Sequence, residues 1–388
     1  MEEQKKAMKV LQVCNVAPLQ GKIVTNAPAC LHLNHFDLRC LRLIPIEHLL
    51  FYEFLHPTTS FFDSVLPNLK HSLALTLQHF LPLAGNITWP LDSPYPYPIL
   101  NYLPGDAIPL TIAESDTNFN HLCSNISEAV ERQPLIPCLN ISHDKASVLA
   151  LQVTLFPNFG FCIGITAHHA AMDGNSVALF IRAWGYACSK LIDSPSSSSS
   201  SSSSSLLSLP EYLTPSFDRS VIRDLPLNPK VGVPDNRSLK IWDLYKPIGA
   251  GTVKGLFELT PSKIQCLKDY AQSKLDTNVK ISTFSVTCAY VFACLVQTLQ
   301  QKSERVLFLF SADCRSRLDP PILPTYFGNC SGGLLIVAER IQISGKDGFI
   351  KTLEEIIKAL NRMDDALPKT VECPLLGSQP SMDSICDK

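Results

Sequence analysis

The stretch Phe161-Cys-Ile-Gly-Ile-Thr-Ala-His-His-Ala-Ala-Met-Asp-Gly174 decides how this 388-residue chain is read. Its first seven residues are an apolar run of strand length, and two histidines follow at once. Beyond it, Val177, Phe180, Ile181, Trp184 and Ala187 or Cys188 recur at helical spacing, which predicts a helix to about Lys190 with one face in the core. Asp173 or Asn175 is the expected cap, because a short side-chain oxygen accepts the amides that a helix start leaves unbonded. Gly174 stands where a small residue lets the backbone turn sharply. A tight strand-turn-helix results, with His169 at the end of a buried strand.

An imidazole there suits base chemistry on a hydroxyl or amine, since its proton affinity allows it to take and return a proton near neutral pH. Asp173 follows four positions later, and three readings compete for the pair: a base with a supporting carboxylate, two ligands of a metal, or a packed histidine that is simply hydrogen-bonded. A metal needs at least a third ligand, and His71, His79, His121 and His143 are scattered without ligand spacing, so no metal is expected. Cys330, in Gly328-Asn-Cys-Ser-Gly-Gly333, is a nucleophile that His169 could activate, or one of fourteen packed thiols. There is no G-x-S-x-G elbow, P-loop or G-x-G-x-x-G.

Working outward, 46% hydrophobic and 18% charged residues allow a large core, most naturally in two domains. A net charge of −2 offers no field for a phosphate backbone, so nucleic acid is not an expected partner. No stretch approaches the roughly 18 to 20 apolar residues of a membrane span. The charged start Met1 to Met8 lacks the apolar segment of a secretory leader, so a cytoplasmic protein without membrane attachment is expected. Ten serines, Ser196 to Ser205, cannot bury enough apolar surface to fold alone and divide the chain. Strand-like runs (Leu149–Phe156, Val253–Leu259, Val306–Ala312) alternate with helical ones (Asn68–Phe80, Pro261–Lys274, Ser282–Gln300), a mixed α/β pattern in both halves. The expected division is 1–190, a linker over 191–235, and 236–388.

Together with Cys314-Arg-Ser-Arg-Leu-Asp-Pro-Pro321 and Tyr326-Phe-Gly-Asn-Cys330, the segment His168 to Gly174 resembles the BAHD acyl-CoA-dependent acyltransferases of plants. Phe36-Asp37, Ile46 to Phe54, Phe80 to Gly85, Ala113 to Asp116 and Asp218-Arg-Ser-Val-Ile222 resemble its branch acting on anthocyanins and other phenolic glucosides. The resemblance implies two chloramphenicol-acetyltransferase-like α/β domains with mixed sheets. It also implies acyl transfer, hydroxycinnamoyl or malonyl, from acyl-CoA to a glucoside hydroxyl. His169 would be the base, with direct attack on the thioester and no acyl-enzyme. Asp173 would hold the loop by pairing with an arginine, here Arg315 or Arg317, supported by Gly174. Ser282 and Thr283 become candidate contacts for CoA phosphates or mere helix caps. His35 and Asp37 become candidates for the border of an acceptor channel. No permanently bound cofactor is implied; acyl-CoA and the glucoside are the small-molecule partners, and a monomer is expected.

The chain departs from that pattern after about Asp365 and lacks the family's Asp-Phe-Gly-Trp-Gly motif, so the second domain is expected to be incomplete. The alternative function is then an inactive homologue that binds CoA, a phenolic or nothing. The absence of a basic residue between Asp173 and Arg182 tilts the donor towards hydroxycinnamoyl, since a malonyl carboxylate wants a cation.

Overall fold

The structure, a computed structural model, describes residues 8–19, 27–89, 97–193, 207–222, 237–242, 249, 251–276, 279–299 and 303–366. The serine run, residues 194–206 and 223–235 of the expected linker, and the tail after 366 lie outside the described residues. The chain forms two compact units, Met1–Gly255 with Ile322–Cys330, and Leu256–Pro321 with Ser331–Lys388.

The first unit is built on a five-stranded sheet of β1 (Met8–Val16), β2 (Ile46–Glu53), β3 (Ile108–Ser115), β4 (Leu149–Phe156) and β5 (Gly160–Ala167), in the order β1-β3-β4-β5-β2. The β3–β4 pair is parallel and the other three are antiparallel, so the sheet is mixed. Strands β4 and β5 are buried along their whole length, which is why their sequences are continuous apolar runs rather than alternating ones. Gly164 lies mid-strand because a Cβ there would stand 2.0 Å from the Leu135 carbonyl oxygen; the neighbouring segment packs on bare backbone. Four short strands, Cys30–His32, Ile99–Asn101, Asn86–Thr88 and Lys145–Ser147, form a second sheet in that order.

Three helices of this unit matter for the site: α1 (His35–Arg39), α2 (Leu66–His79) and α3 (Gly174–Asp193). The predicted stripe of α3 is its inner face: Val177, Phe180, Trp184 and Ala187 are at most 4% exposed. It packs on α2, where the Trp184 indole N–H reaches Ser72 Oγ at 3.0 Å and Phe180 meets Phe80 edge-on at 5.5 Å. Phe80 in turn meets Phe327 at 5.2 Å, tying residues 322–330 into the same core. Burial on this scale, at roughly 25 cal/mol per Å² of apolar surface, is what fixes the start of α3 relative to the sheet.

In the second unit, β6 (Arg305–Asp313) pairs antiparallel with β7 (Ser331–Glu339). Helices α4 (Pro261–Gln272), α5 (Thr283–Thr298) and α6 (Gly348–Ala366) share a core with one face of this pair, including Val286, Phe292, Phe310, Ile336 and Leu353. The residues between them on the strands, Leu307, Leu309 and Val337, are 43–56% exposed, so β6 and β7 are amphipathic with period two. The strand expected over Val253–Leu259 is shorter, Val253–Gly255, and pairs with Ile126–Glu128 in the first unit. No helix among the described residues is long and apolar enough to cross a membrane.

Candidate active site

Strand β5 ends at Ala167, and the chain turns tightly over the two histidines. The Ala171 N–H returns to the His168 carbonyl at 2.9 Å, and the Ala170 N–H to His168 Nδ1 at 3.2 Å. The second bond makes Nδ1 an acceptor, so a neutral His168 ring carries its proton on Nε2, which is buried without a hydrogen-bond partner. Burial first, and the adjacent His169 second, push His168 down to about 4. His168 is therefore neutral near pH 7. His169, by contrast, is half-buried; Nδ1 is its enclosed ring nitrogen, and its backbone carbonyl accepts from Asn329 Nδ2 at 2.8 Å.

Asp173 is the N-cap of α3. Its Oδ1 accepts the Ser176 N–H at 2.9 Å and its Oδ2 accepts the Cys330 N–H at 3.1 Å. The Ser176 hydroxyl doubles this connection, donating to the Gly328 carbonyl and accepting from the Gly328 N–H, each at 3.0 Å. The first turn of α3 thus grips the backbone of residues 328–330, and the carboxylate reaches amides rather than the ring of His169. Gly328 is required there: its φ is +146°, and a Cβ would lie 2.5–2.7 Å from the guanidinium of Arg219.

A second group of buried polar residues reaches the same loop from the other side. Asp37 on α1 is completely buried; its Oδ1 accepts both the backbone N–H and Nδ2 of Asn329, at 2.8 and 3.0 Å. Its Oδ2 accepts the Asn34 N–H at 3.2 Å and lies 3.3 Å from Arg219 Nε. Arg219 also donates through Nη1 to the Phe327 carbonyl and lies over the Tyr326 ring at 5.1 Å, while Asn34 Nδ2 donates to the Tyr326 hydroxyl at 2.7 Å. Burial pushes the Asp37 carboxyl above its ordinary range, opposed by Arg219 and Asn329. Three N–H groups donate to it and the Arg219 guanidinium faces it as an ion pair, so a carboxyl proton would find donors and a cation instead of acceptors.

The other expected positions have distinct surroundings. Asp37 does not border a channel, because it has no exposed surface; its capping box with Asn34 turns the carboxylate inward. His35 is half-buried, edge-on to Phe36 at 6.0 Å. Gly174 is not a steric requirement of the turn: nothing lies within 4 Å of where its Cβ would stand, and its φ is outside the left-handed region. Arg315 and Arg317 lie in the second unit; Arg315 Nη1 donates to Asp313 Oδ1 at 2.8 Å and the Arg317 N–H bonds the Cys314 carbonyl, contacts that leave the expected pairing with Asp173 a proposal. Ser282 caps α5 by accepting the Ser285 N–H at 3.0 Å, and both Ser282 and Thr283 are exposed. Cys330 is fully buried, so its thiol presents no surface to a substrate. A groove of about 1130 Å³ in the first unit is lined by Asn175, Leu179 and Arg182 of α3 with Tyr212, Phe217 and Leu323, and not by His169. Among the described residues no three His, Cys, Asp or Glu side chains gather as metal ligands.

Comparison with known proteins gives the class of protein to which this fold and its strand-end histidine belong, a transferase. The profile of the Transferase family matches residues 24–367. Phenolic glucoside malonyltransferase 1 of Bemisia tabaci is 37% identical over 381 residues, covering 92% of this chain and 78% of that protein. Malonyl-CoA:anthocyanidin 5-O-glucoside-6''-O-malonyltransferase of Arabidopsis thaliana is 36% identical over 386 residues, covering 95% of this chain and 80% of that protein. The crystal structure of vinorine synthase shares the fold, with a TM-score of 0.61 at 18% identity over 98% of this chain and 81% of that one. The chain belongs to this Transferase family, the BAHD acyltransferases.

Proposed function

We propose that this protein transfers an acyl group from an acyl-CoA to a hydroxyl of a phenolic or flavonoid glucoside, with His169 as general base. The observation that carries the reading is the division of labour at the turn. Asp173 has both oxygens engaged by backbone amides and His168 is held neutral with Nδ1 occupied, so His169 is the group left to move a proton. In the tautomer that carries its proton on Nδ1, which base catalysis requires, the ring presents the Nε2 lone pair to a substrate hydroxyl. As the hydroxyl oxygen bonds to the thioester carbonyl carbon, its proton passes to Nε2. The carbon–sulfur bond breaks, the CoA thiolate departs and takes that proton from the imidazolium. No acyl-enzyme is needed, because holding both co-substrates at one base removes the entropic barrier to direct attack. Exposed Ser282 and Thr283 at the start of α5 are the proposed contacts for CoA phosphates.

Malonyl-CoA is the first donor to test because both relatives named above are malonyltransferases, and coumaroyl-CoA is the second. The test is release of free CoA from either donor in the presence of a flavonoid glucoside. Glucoside-dependent release supports the reading; no turnover across a broad acceptor panel with either donor overturns it.

A further inference from the structure

The Asp37 cluster lies in a part of the molecule for which base catalysis at His169 supplies no use, yet it ends on His169. Asn329 Nδ2 has two hydrogens; one goes to Asp37 Oδ1 at 3.0 Å and the other to the His169 carbonyl at 2.8 Å. Flipping the amide would aim its oxygen at a carboxylate and a carbonyl, so its orientation is determined by Asp37. Asp37 is in turn held by the Asn34 N–H and by Arg219, whose guanidinium is pinned between the Phe327 carbonyl, the Tyr326 ring and the bare Cα of Gly328. A salt bridge this deeply buried is a poor source of stability, since desolvation offsets most of its attraction. Its value lies in fixing geometry, and the geometry it fixes is that of the catalytic turn.

We propose that Arg219 and Asp37 are positioning residues which, through Asn329, set the backbone of His169. This rests on His169 being the general base. None of the three side chains is assigned a contact with substrate, so loosening the chain of bonds misplaces the imidazole without altering the binding surfaces. Misplacement of a reacting group by about 1 Å costs on the order of a hundredfold in rate.

The experiment compares Arg219→Lys, Asn329→Ala and the double variant with the wild type, measuring kcat and both KM values over a range of pH, with folding checked by circular dichroism and thermal melting. Arg219→Lys keeps the charge but loses the planar fork that meets Asp37 and Phe327 together. The expected result is a fall in kcat of about tenfold to hundredfold in each single variant, KM within about twofold, and a double variant no worse than the poorer single, because both break one chain. Wild-type kcat in folded Asn329→Ala, or losses that multiply in the double variant, overturns the proposal. Should Arg219→Lys fail to fold, Asn329→Ala alone decides. Loss of activity in His169→Ala with full activity in Asn329→Ala would sink the positioning role while leaving the base intact; an inactive wild type would sink the base.

Discussion

The carboxylate of Asp173 accepts the backbone N–H of Cys330 at 3.1 Å while it caps α3 through Ser176 at 2.9 Å, joining two points 157 positions apart. One side chain thereby closes the helix start and locks the loop that carries Asn329 to the His169 carbonyl.

Removing that side chain strands two donors. Asp173→Ala loses an N-cap and leaves the buried Cys330 amide unsatisfied, together roughly 2 to 4 kcal/mol of stability. Asp173→Asn keeps one acceptor and should lose less. Urea unfolding of the three proteins checks the order; equal midpoints for wild type and Asp173→Ala would show that the two bonds contribute nothing.

Gly328→Ala is expected to destabilise by about 1 to 3 kcal/mol from its backbone angle alone. The added methyl also collides with Arg219, which must leave Asp37 or Phe327. Thermal melting reads the first effect and kcat the second. An unchanged melting temperature would contradict the backbone cost, and wild-type kcat would contradict the tight approach of the guanidinium.

His168 makes stability depend on pH in a defined direction. Its folded value of about 4 lies below the ordinary 6.5, so the unfolded chain binds the extra proton first as pH falls. The stabilisation is complete above 6.5 and is lost as pH drops from 6.5 towards 4, a contribution of roughly 3 kcal/mol. His168→Asn keeps an acceptor for the Ala170 N–H and has no proton to gain. Unfolding free energies across that window should fall more steeply for wild type than for the variant; parallel curves would count against a buried neutral His168.

What was legible in the sequence was local. The run from Phe161 and the helical stripe from Val177 to Ala187 follow from the periods of strand and helix, and Ser282 and Asp173 are caps because hydroxyl and carboxylate oxygens suit orphan amides. The network around Asp37 was not legible, because its bonds to Asn329 span 292 positions and no local pattern encodes them. One signal was present: Asn34 and Asp37 have the spacing of a capping box, which turns the carboxylate back towards the helix start and away from a channel. Gly174 misled for the opposite reason, since a glycine beside a turn invites a steric role that its open surroundings do not require.

The central claim is that His169 takes the proton of the acceptor hydroxyl. Initial rates of CoA release from malonyl-CoA and coumaroyl-CoA with a flavonoid glucoside, compared between wild type and a folded His169→Ala variant, test it most directly. Loss of one positioned general base predicts a fall of about a hundredfold to ten-thousandfold in kcat. A His169→Ala protein that transfers the acyl group at the wild-type rate would contradict the account.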